Sequence, residues 1–382
     1  MSKVIQILGG KYCSLVLLEN GSIVGWGSNY YRILDIPPEI QGRVIQIAMD
    51  LNSGVIALLN NGMLKGWGST QFYTTRVEMI NTYLAENDRK ITQIAVSDWF
   101  GIGLLNDGTI KEWSFFPRPP TPDFGGLRVT KVACEGKKSL VLLEDGTLRY
   151  WYPKEIWEKT LTLPDFNGRR VIEIASRDKI SIALLEDGTI RIFGDSSDYL
   201  INKKLKMIPD FGGRNIVGID CGVETYSVIL DNNTIIVWGK ETYGLPPNDV
   251  AAPTYNILDF SNETLRIVKI SSGATHLLIL LDDGSIRLYS KNDDDGIITT
   301  IPRYLLGQIA RDYPITEDKT FANYQELKQK VECPQCRIHI KKVLLNCNHA
   351  LCETCSSVLT NCPTCAKVIT SKTVFHKKYY KF

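Results

Sequence analysis

The ten residues LLEDGTLRYW (142–151) contain the reading that decides the fold. Two aliphatic residues lead into Asp145 and Gly146, and Leu148 and Trp151 follow two and five places after the glycine. Asp-Gly between apolar segments is a strong hairpin signal, because glycine and asparagine accept the positive φ of a tight primed turn. The same phrase stands at 17–26 (LLENGSIVGW), 58–67 (LLNNGMLKGW), 104–113 (LLNDGTIKEW), 184–193 (LLEDGTIRIF), 229–238 (ILDNNTIIVW) and 280–289 (LLDDGSIRLY). The turn residue falls at Gly21, Gly62, Gly108, Gly146, Gly188, Asn233 and Gly284, with spacings of 41, 46, 38, 42, 45 and 51 residues. An aromatic always stands five places on: Trp26, Trp67, Trp113, Trp151, Phe193, Trp238 and Tyr289.

Upstream of each hairpin lies another β-branched segment, such as VIQIA (44–48) or VIEIA (171–175), often introduced by a turn cluster like PDFNGRR (164–170) or PDFGGRN (209–215). A repeat of three or four strands cannot bury its apolar face alone. Seven arranged radially bury it between neighbours and leave no long free edge. The fold class expected is therefore mainly β, a seven-bladed β-propeller over 1–305. The aromatic series reads as packing between blades, Cys13, Cys134 and Cys221 as small buried hydrophobes, and His276 as a structural histidine. Trp99 and Trp157 fall outside the repeat and are the candidates for an exposed recognition surface.

At these residues the chain resembles the regulator-of-chromosome-condensation repeat family, whose repeats join an aliphatic strand, an Asp-Gly turn and a Trp-Gly. The family's histidine eight residues before the turn survives only as His276, and the glycine after the aromatic is lost in three repeats. The loop on which the family's nucleotide exchange on a small GTPase depends is not identifiable, which ranks an exchange-factor reading last.

The 382 residues are 44% hydrophobic and 23% charged, with a formal charge of +2, which excludes wholesale disorder and a global field for nucleic acid or acidic membrane. No apolar run is long enough to span a bilayer and no secretory signal opens the chain, so an intracellular protein, cytoplasmic or nuclear and not secreted, is expected. Seven of the ten cysteines lie between Cys333 and Cys365. Ahead of them, 291–305 offers a strand that could complete the last blade, and 306–332 reads as a linker with a short helix, Phe321, Tyr324, Leu327 and Val331 standing at helical spacing.

The cluster itself is Cys333-x2-Cys336-x10-Cys347-x1-His349-x2-Cys352-x2-Cys355-x6-Cys362-x2-Cys365. Eight thiolate and imidazole ligands in four pairs supply two closed tetrahedral Zn2+ sites. The rivals are weaker. A disulfide framework suits a secreted chain, paired nucleic-acid-binding fingers want a His-x3-5-His pair, and a catalytic zinc wants an open position. His339 is a spare histidine in the first loop, and His349 already has the expected place after Cys347. So short a segment must draw its folding energy from metal.

Seven cysteines with histidine in fourth place resemble the RING finger over 333–366. The resemblance implies that Cys333, Cys336, Cys352 and Cys355 hold one ion and Cys347, His349, Cys362 and Cys365 the other. It also implies a ubiquitin ligase that forms no covalent intermediate and positions a ubiquitin-charged conjugating enzyme for direct transfer to lysine. The family's groove for that enzyme maps to Pro334, Gln335, Val358, Leu359 and Pro363. Pro363 matches the pattern. Gln335 stands where an aliphatic is usual, and Ala366, followed by Lys367, where an arginine bridging to ubiquitin is frequent. The gap before Cys362 and the run to the C-terminus most resemble the RING of inhibitor-of-apoptosis proteins, which would make Val368, Ile369 and Phe375 dimer or ubiquitin contacts. The 367–382 tail is basic and aromatic. Residues 333–382 carry eight Lys or Arg and one acid, Glu353, and a solvated charged face explains this better than a phosphate grip, so nucleic acid is not the expected partner. The expected partners are a conjugating enzyme, ubiquitin, a protein substrate on the propeller and a second copy through the RING and tail. The alternative is a non-catalytic scaffold with a dimerising or docking RING.

Overall fold

The structure is a computed structural model that describes residues 2–50, 54–69, 71–97, 100–114, 120–136, 138–151, 163–177, 179–194, 208–223, 225–239 and 255–290, with the backbone strands at 343–345, 350–351 and 372–374. The chain divides into two compact units, Met1–Ala310 and Arg311–Phe382.

Among the described residues of the first unit there are seven antiparallel sheets, one for each repeat. Their strands are β1 (Val4–Gly9), β2 (Cys13–Leu18) and β3 (Ile23–Gly27); β4 (Val44–Met49), β5 (Gly54–Leu59) and β6 (Leu64–Gly68); β7 (Ile91–Ser97), β8 (Phe100–Leu105) and β9 (Ile110–Ser114); β10 (Val129–Glu135), β11 (Lys138–Leu143) and β12 (Leu148–Trp151); β13 (Val171–Arg177), β14 (Ile180–Leu185) and β15 (Ile190–Gly194); β16 (Ile216–Cys221), β17 (Thr225–Leu230), β18 (Thr234–Gly239) and β19 (Tyr255–Asp259); and β20 (Ile267–Ser272), β21 (His276–Leu281) and β22 (Ile286–Ser290). The first strands of successive blades adjoin in a closed circuit, β1, β4, β7, β10, β13, β16, β20 and back to β1, and so form the wall of a central channel. Each repeated phrase is the expected hairpin, its turn glycine at positive φ, and Asn233 takes the same conformation at φ 68°.

The middle strand of each blade is buried almost throughout, because its two faces pack on the blades either side. Between blades the apolar residues interlock: Val4, Ile7 and Trp26 share a cluster with Leu278, Leu280 and Ile286, which closes blade 7 on blade 1. Trp26, Trp67, Trp113, Phe193 and Trp238 are buried, as the packing role requires. Trp113 leaves no room for a side chain at its strand neighbour, since a Cβ on Gly101 would lie 2.2 Å from the indole. Cys13, Cys134 and Cys221 are buried. Burial pushes the Cys13 thiol up to about 11, against the nearby Arg177 guanidinium, so it stays a protonated small hydrophobe.

Two elements lie outside the hairpin phrase. The helix α1 (Gln71–Glu86) packs on β6, with Val77, Ile80 and Leu84 buried at helical spacing. β19 gives the sixth blade a fourth strand. The strand suggested over 291–305, the linker helix, and Trp99 and Trp157 lie outside the described residues. In the second unit β23 (Val343–Leu345) pairs antiparallel with β24 (Ala350–Leu351) and with β25 (Lys372–Val374).

Candidate functional site

Every inner strand is interrupted at one place. The pairing register shifts between Val4 and Gln6, Val44 and Gln46, Ile91 and Gln93, Val129 and Lys131, Val171 and Glu173, Ile216 and Gly218, and Ile267 and Lys269. A β-bulge bends its strand and re-aims the side chains around it. The residue just past each bulge lines a channel cavity of about 460 Å3. Gln6 donates from Nε2 to the carbonyl of Ile47 (2.7 Å) and accepts at Oε1 from the Ile47 N–H (2.9 Å). Gln46 does the same to Ile94, at 3.1 and 2.9 Å, and Gln93 accepts from the Val132 N–H at 3.0 Å. Lys131 pairs with Glu173 across the next seam. Each glutamine clamp satisfies backbone groups of the neighbouring inner strand, the edge strand of its sheet. At blade 6 the series breaks, because Gly218 has no side chain and leaves Ile229 among the cavity-lining residues.

The far end of the channel is held by charge. Arg177, on blade 5, donates from Nη1 to the carbonyls of Gly9 and Ser272, both at 2.6 Å, and so ties blade 5 to blades 1 and 7. Asp220 accepts from the Ser272 N–H at 2.7 Å. Burial raises its carboxyl above the ordinary range, and Arg177 opposes that rise. His276 is fully buried with Nε2 3.0 Å from Ser14 Oγ. Burial, reinforced by Arg177, pushes its imidazole down to about 3, so it is neutral at physiological pH. A serine beside a neutral histidine has the form of a nucleophile and base, but both are sealed from solvent and no substrate can reach them. They lock the first blade to the last. Among the described residues no three His, Cys, Asp or Glu side chains lie close enough to share a metal ion.

The opposite mouth, on the side of the Asp-Gly turns, is shaped by blade edges. Asp107, Asp145, Asp187 and Asp283 each accept from the backbone N–H two residues on, at 2.7–3.1 Å, which fixes their turns. The cation preceding the next inner strand reaches back over the turn: Arg170 donates to the carbonyls of Glu144 and Asp145, and Lys3 to that of Asp282. In blade 6 Asn233 does this work with its own side chain, donating to Phe260 and Leu265 carbonyls at 2.9 Å and accepting from the Ile267 N–H at 2.8 Å.

The zinc ligands Cys333, Cys336, Cys347, His349, Cys352, Cys355, Cys362 and Cys365 lie outside the described residues. So do Pro334, Gln335, Val358, Leu359 and Pro363, and Ala366, Lys367, Val368, Ile369 and Phe375. β23 pairs with β24, Val343 opposite Leu351 and Leu344 opposite Ala350, and 346–349 lie between the two strands in sequence, outside the described residues. That stretch of sequence carries Cys347 and His349. The mouth of the channel has no repeat-breaking residue in the sequence to mark it. Its signal is the residue one place after the start of each inner strand, which is legible only once the seven strands are aligned.

No family model matches the chain, and no curated protein matches it. Among solved structures, the CRINKLY WD40 ectodomain of the receptor kinase ACR4 from Arabidopsis thaliana is 13% identical over 79% of this chain and 99% of its own, with a TM-score of 0.52. The entire ectodomain of the receptor kinase CR4 from Physcomitrella patens is 13% identical over 76% of this chain and 74% of its own, with a TM-score of 0.53. Prp20p from Saccharomyces cerevisiae is 17% identical over 77% of this chain and 73% of its own, with a TM-score of 0.46. The two receptor ectodomains show the fold of the first unit and nothing beyond it. No helix among the described residues is long and apolar enough to cross a membrane.

Proposed function

We propose that the protein is a RING-type ubiquitin ligase, whose propeller recruits a protein substrate and whose C-terminal module recruits a ubiquitin-charged conjugating enzyme. The observation that carries this reading is the eight-ligand array from Cys333 to Cys365, with histidine in fourth place. The pairing of β23 with β24, which flank Cys347 and His349 in sequence, supports it. Seven thiols and one imidazole are a donor set that suits two Zn2+, with Cys333, Cys336, Cys352 and Cys355 for one and Cys347, His349, Cys362 and Cys365 for the other. Bound zinc would supply folding energy to a segment too short for a core of its own.

The chemistry is positioning. The thioester on the conjugating enzyme already carries the activation, so the module's task is to hold it where a lysine amine can attack. Pro334, Gln335, Val358, Leu359 and Pro363 would make that contact, and Lys367, Val368, Ile369 and Phe375 would reach ubiquitin or a second copy. Such a protein works inside the cell, in cytoplasm or nucleus. A non-catalytic scaffold is the second reading, favoured by Gln335 and Ala366, which depart from the residues usual at those places. Discharge of ubiquitin from a charged conjugating enzyme onto free lysine separates the two without knowledge of the substrate. A ligase accelerates the discharge and Cys347→Ser abolishes the effect; equal rates with wild-type protein, Cys347→Ser and no protein, across a panel of conjugating enzymes, would establish the scaffold.

A further inference from the structure

The extra residue at each bulge stands near the start of its inner strand, at the end of the channel on the side of the Asp-Gly turns. On blades 5, 6, 7, 1 and 2 that residue is Ile172, Val217, Val268, Ile5 and Ile45, an unbroken apolar arc. These side chains are 46–62% exposed and are half of the exposed large hydrophobics among the described residues. The remaining two, Thr92 and Thr130, turn their hydroxyls back to the Leu104 and Leu142 carbonyls. Single exposed aliphatics need no explanation, but five at one structural position on successive blades are a repeated apolar feature of the kind that marks binding surfaces.

The charge around that opening is lopsided. The turn pairs of blades 4 to 7 carry seven acids: Glu144, Asp145, Glu186, Asp187, Asp231, Asp282 and Asp283. Those of blades 1 to 3 carry only Glu19 and Asp107, the other four places being asparagine. The two residues before each inner strand bring five Arg to blades 4 to 7 and four Lys or Arg to blades 1 to 3. Over these positions alone, blades 4 to 7 carry two net negative charges and blades 1 to 3 two net positive ones. The apolar arc overlaps the negative side on blades 5, 6 and 7. Val217 and Val268 of the arc also line the channel, and Ile229, buried beside Gly218, completes the lining there.

We infer that this mouth docks a partner polypeptide through an apolar side chain flanked by Lys or Arg, the apolar group on Val217 and Val268 and the cations against the acids of blades 5 to 7. Apolar contact supplies the affinity, and the lopsided field supplies orientation and steers encounter. The inference rests on the reading of the propeller as a recruiting domain and names the chemistry of what it recruits.

The test uses full-length protein and an array of labelled short peptides on a Gly-Ser background, each with one Ile or Phe between Lys/Arg, Asp/Glu or neutral residues, read by fluorescence polarisation. The Lys/Arg-flanked peptides should bind best, and added salt should weaken them. The double variant Val217→Ser, Val268→Ser should weaken them at least about tenfold while melting at the wild-type temperature. Val217→Ile, with Val268 unchanged, should keep the wild-type affinity. Preference for Asp/Glu flanks, equal binding by the serine variant, or no binding by any apolar peptide would overturn the proposal. Its failure is distinct from failure of the ligase reading, because lysine discharge by wild-type protein does not involve these peptides.

Discussion

His276 shows how a single residue can keep its family place and lose any prospect of chemistry. It stands at the first position of β21, with Gly9 and Gly273 so close that a Cβ on either would meet its ring. Arg177 both ties blades together and adds its charge to the burial that keeps the imidazole neutral. The consequence for stability has a definite sign. Its folded proton affinity lies near 3 and its ordinary value near 6.5, so below about pH 6.5 the unfolded chain binds a proton that the folded chain refuses. Stability held above that pH is lost as pH falls towards 3, with a slope approaching about 1.4 kcal/mol per pH unit. Urea midpoints of wild type and His276→Gln, measured from pH 7 to 4, should converge as the pH falls, because the glutamine cannot take up the proton. Parallel curves would mean that the histidine is accessible and titrates normally. The structural role of this residue was legible from the sequence, since no second ligand stands near it. Ser14, which it meets, and Arg177, whose charge it feels, were not legible, because they stand on two other blades and come near it only through ring closure.

Amide clamps recur at the level of the elements and explain why such different segments can flank the same strand. Gln41 holds both backbone groups of Ile23, at 2.7 and 3.1 Å, on blade 1. On blade 2 Asn81, within α1, holds those of Leu64, both at 2.8 Å. On blade 6 a full strand, β19, pairs with the same edge. The helix thus occupies a place that a strand takes elsewhere, covering an edge that would otherwise invite pairing. Val77, Ile80 and Leu84 supply its packing. Leu84→Ala should cost about 2–4 kcal/mol, seen as a lower urea midpoint with the β-sheet signal intact; a cost below about 0.5 kcal/mol would mean that the helix is an ornament. The hairpins were legible because Asp-Gly dictates their turns and the repeat makes each one evidence for the others. The helix was not, since QFYTTRVEMINTYLAE belongs to no repeat and its only mark is the 46-residue spacing from Gly62 to Gly108. The bulge ring escaped notice for a related reason: Ile5, Ile45 and Ile172 look like ordinary strand residues until the register shift sets them apart.

For the whole molecule, two different economies of folding meet in one chain. The propeller obtains its stability from apolar faces shared around a circle, closed by Lys3, Arg177 and His276 between the last blade and the first. On the reading proposed above, the 33-residue segment from Cys333 to Cys365 would draw its folding energy from metal, being too short for a core of its own. The number of blades was countable from the sequence, whereas the identity of a partner was not, because a propeller fold hosts many functions and only the residues at its mouth discriminate. The function proposed above makes this propeller the recruiting part of a zinc-built ubiquitin ligase. The measurement that meets it most directly is autoubiquitination of purified full-length protein with a panel of conjugating enzymes, beside Cys347→Ser, a chelated sample and a zinc determination. The account predicts about two zinc ions per chain, ubiquitin chains with at least one enzyme, and loss of both in Cys347→Ser while the propeller still melts cooperatively. Two bound zincs with no transfer by any conjugating enzyme would contradict it and leave a scaffold in its place.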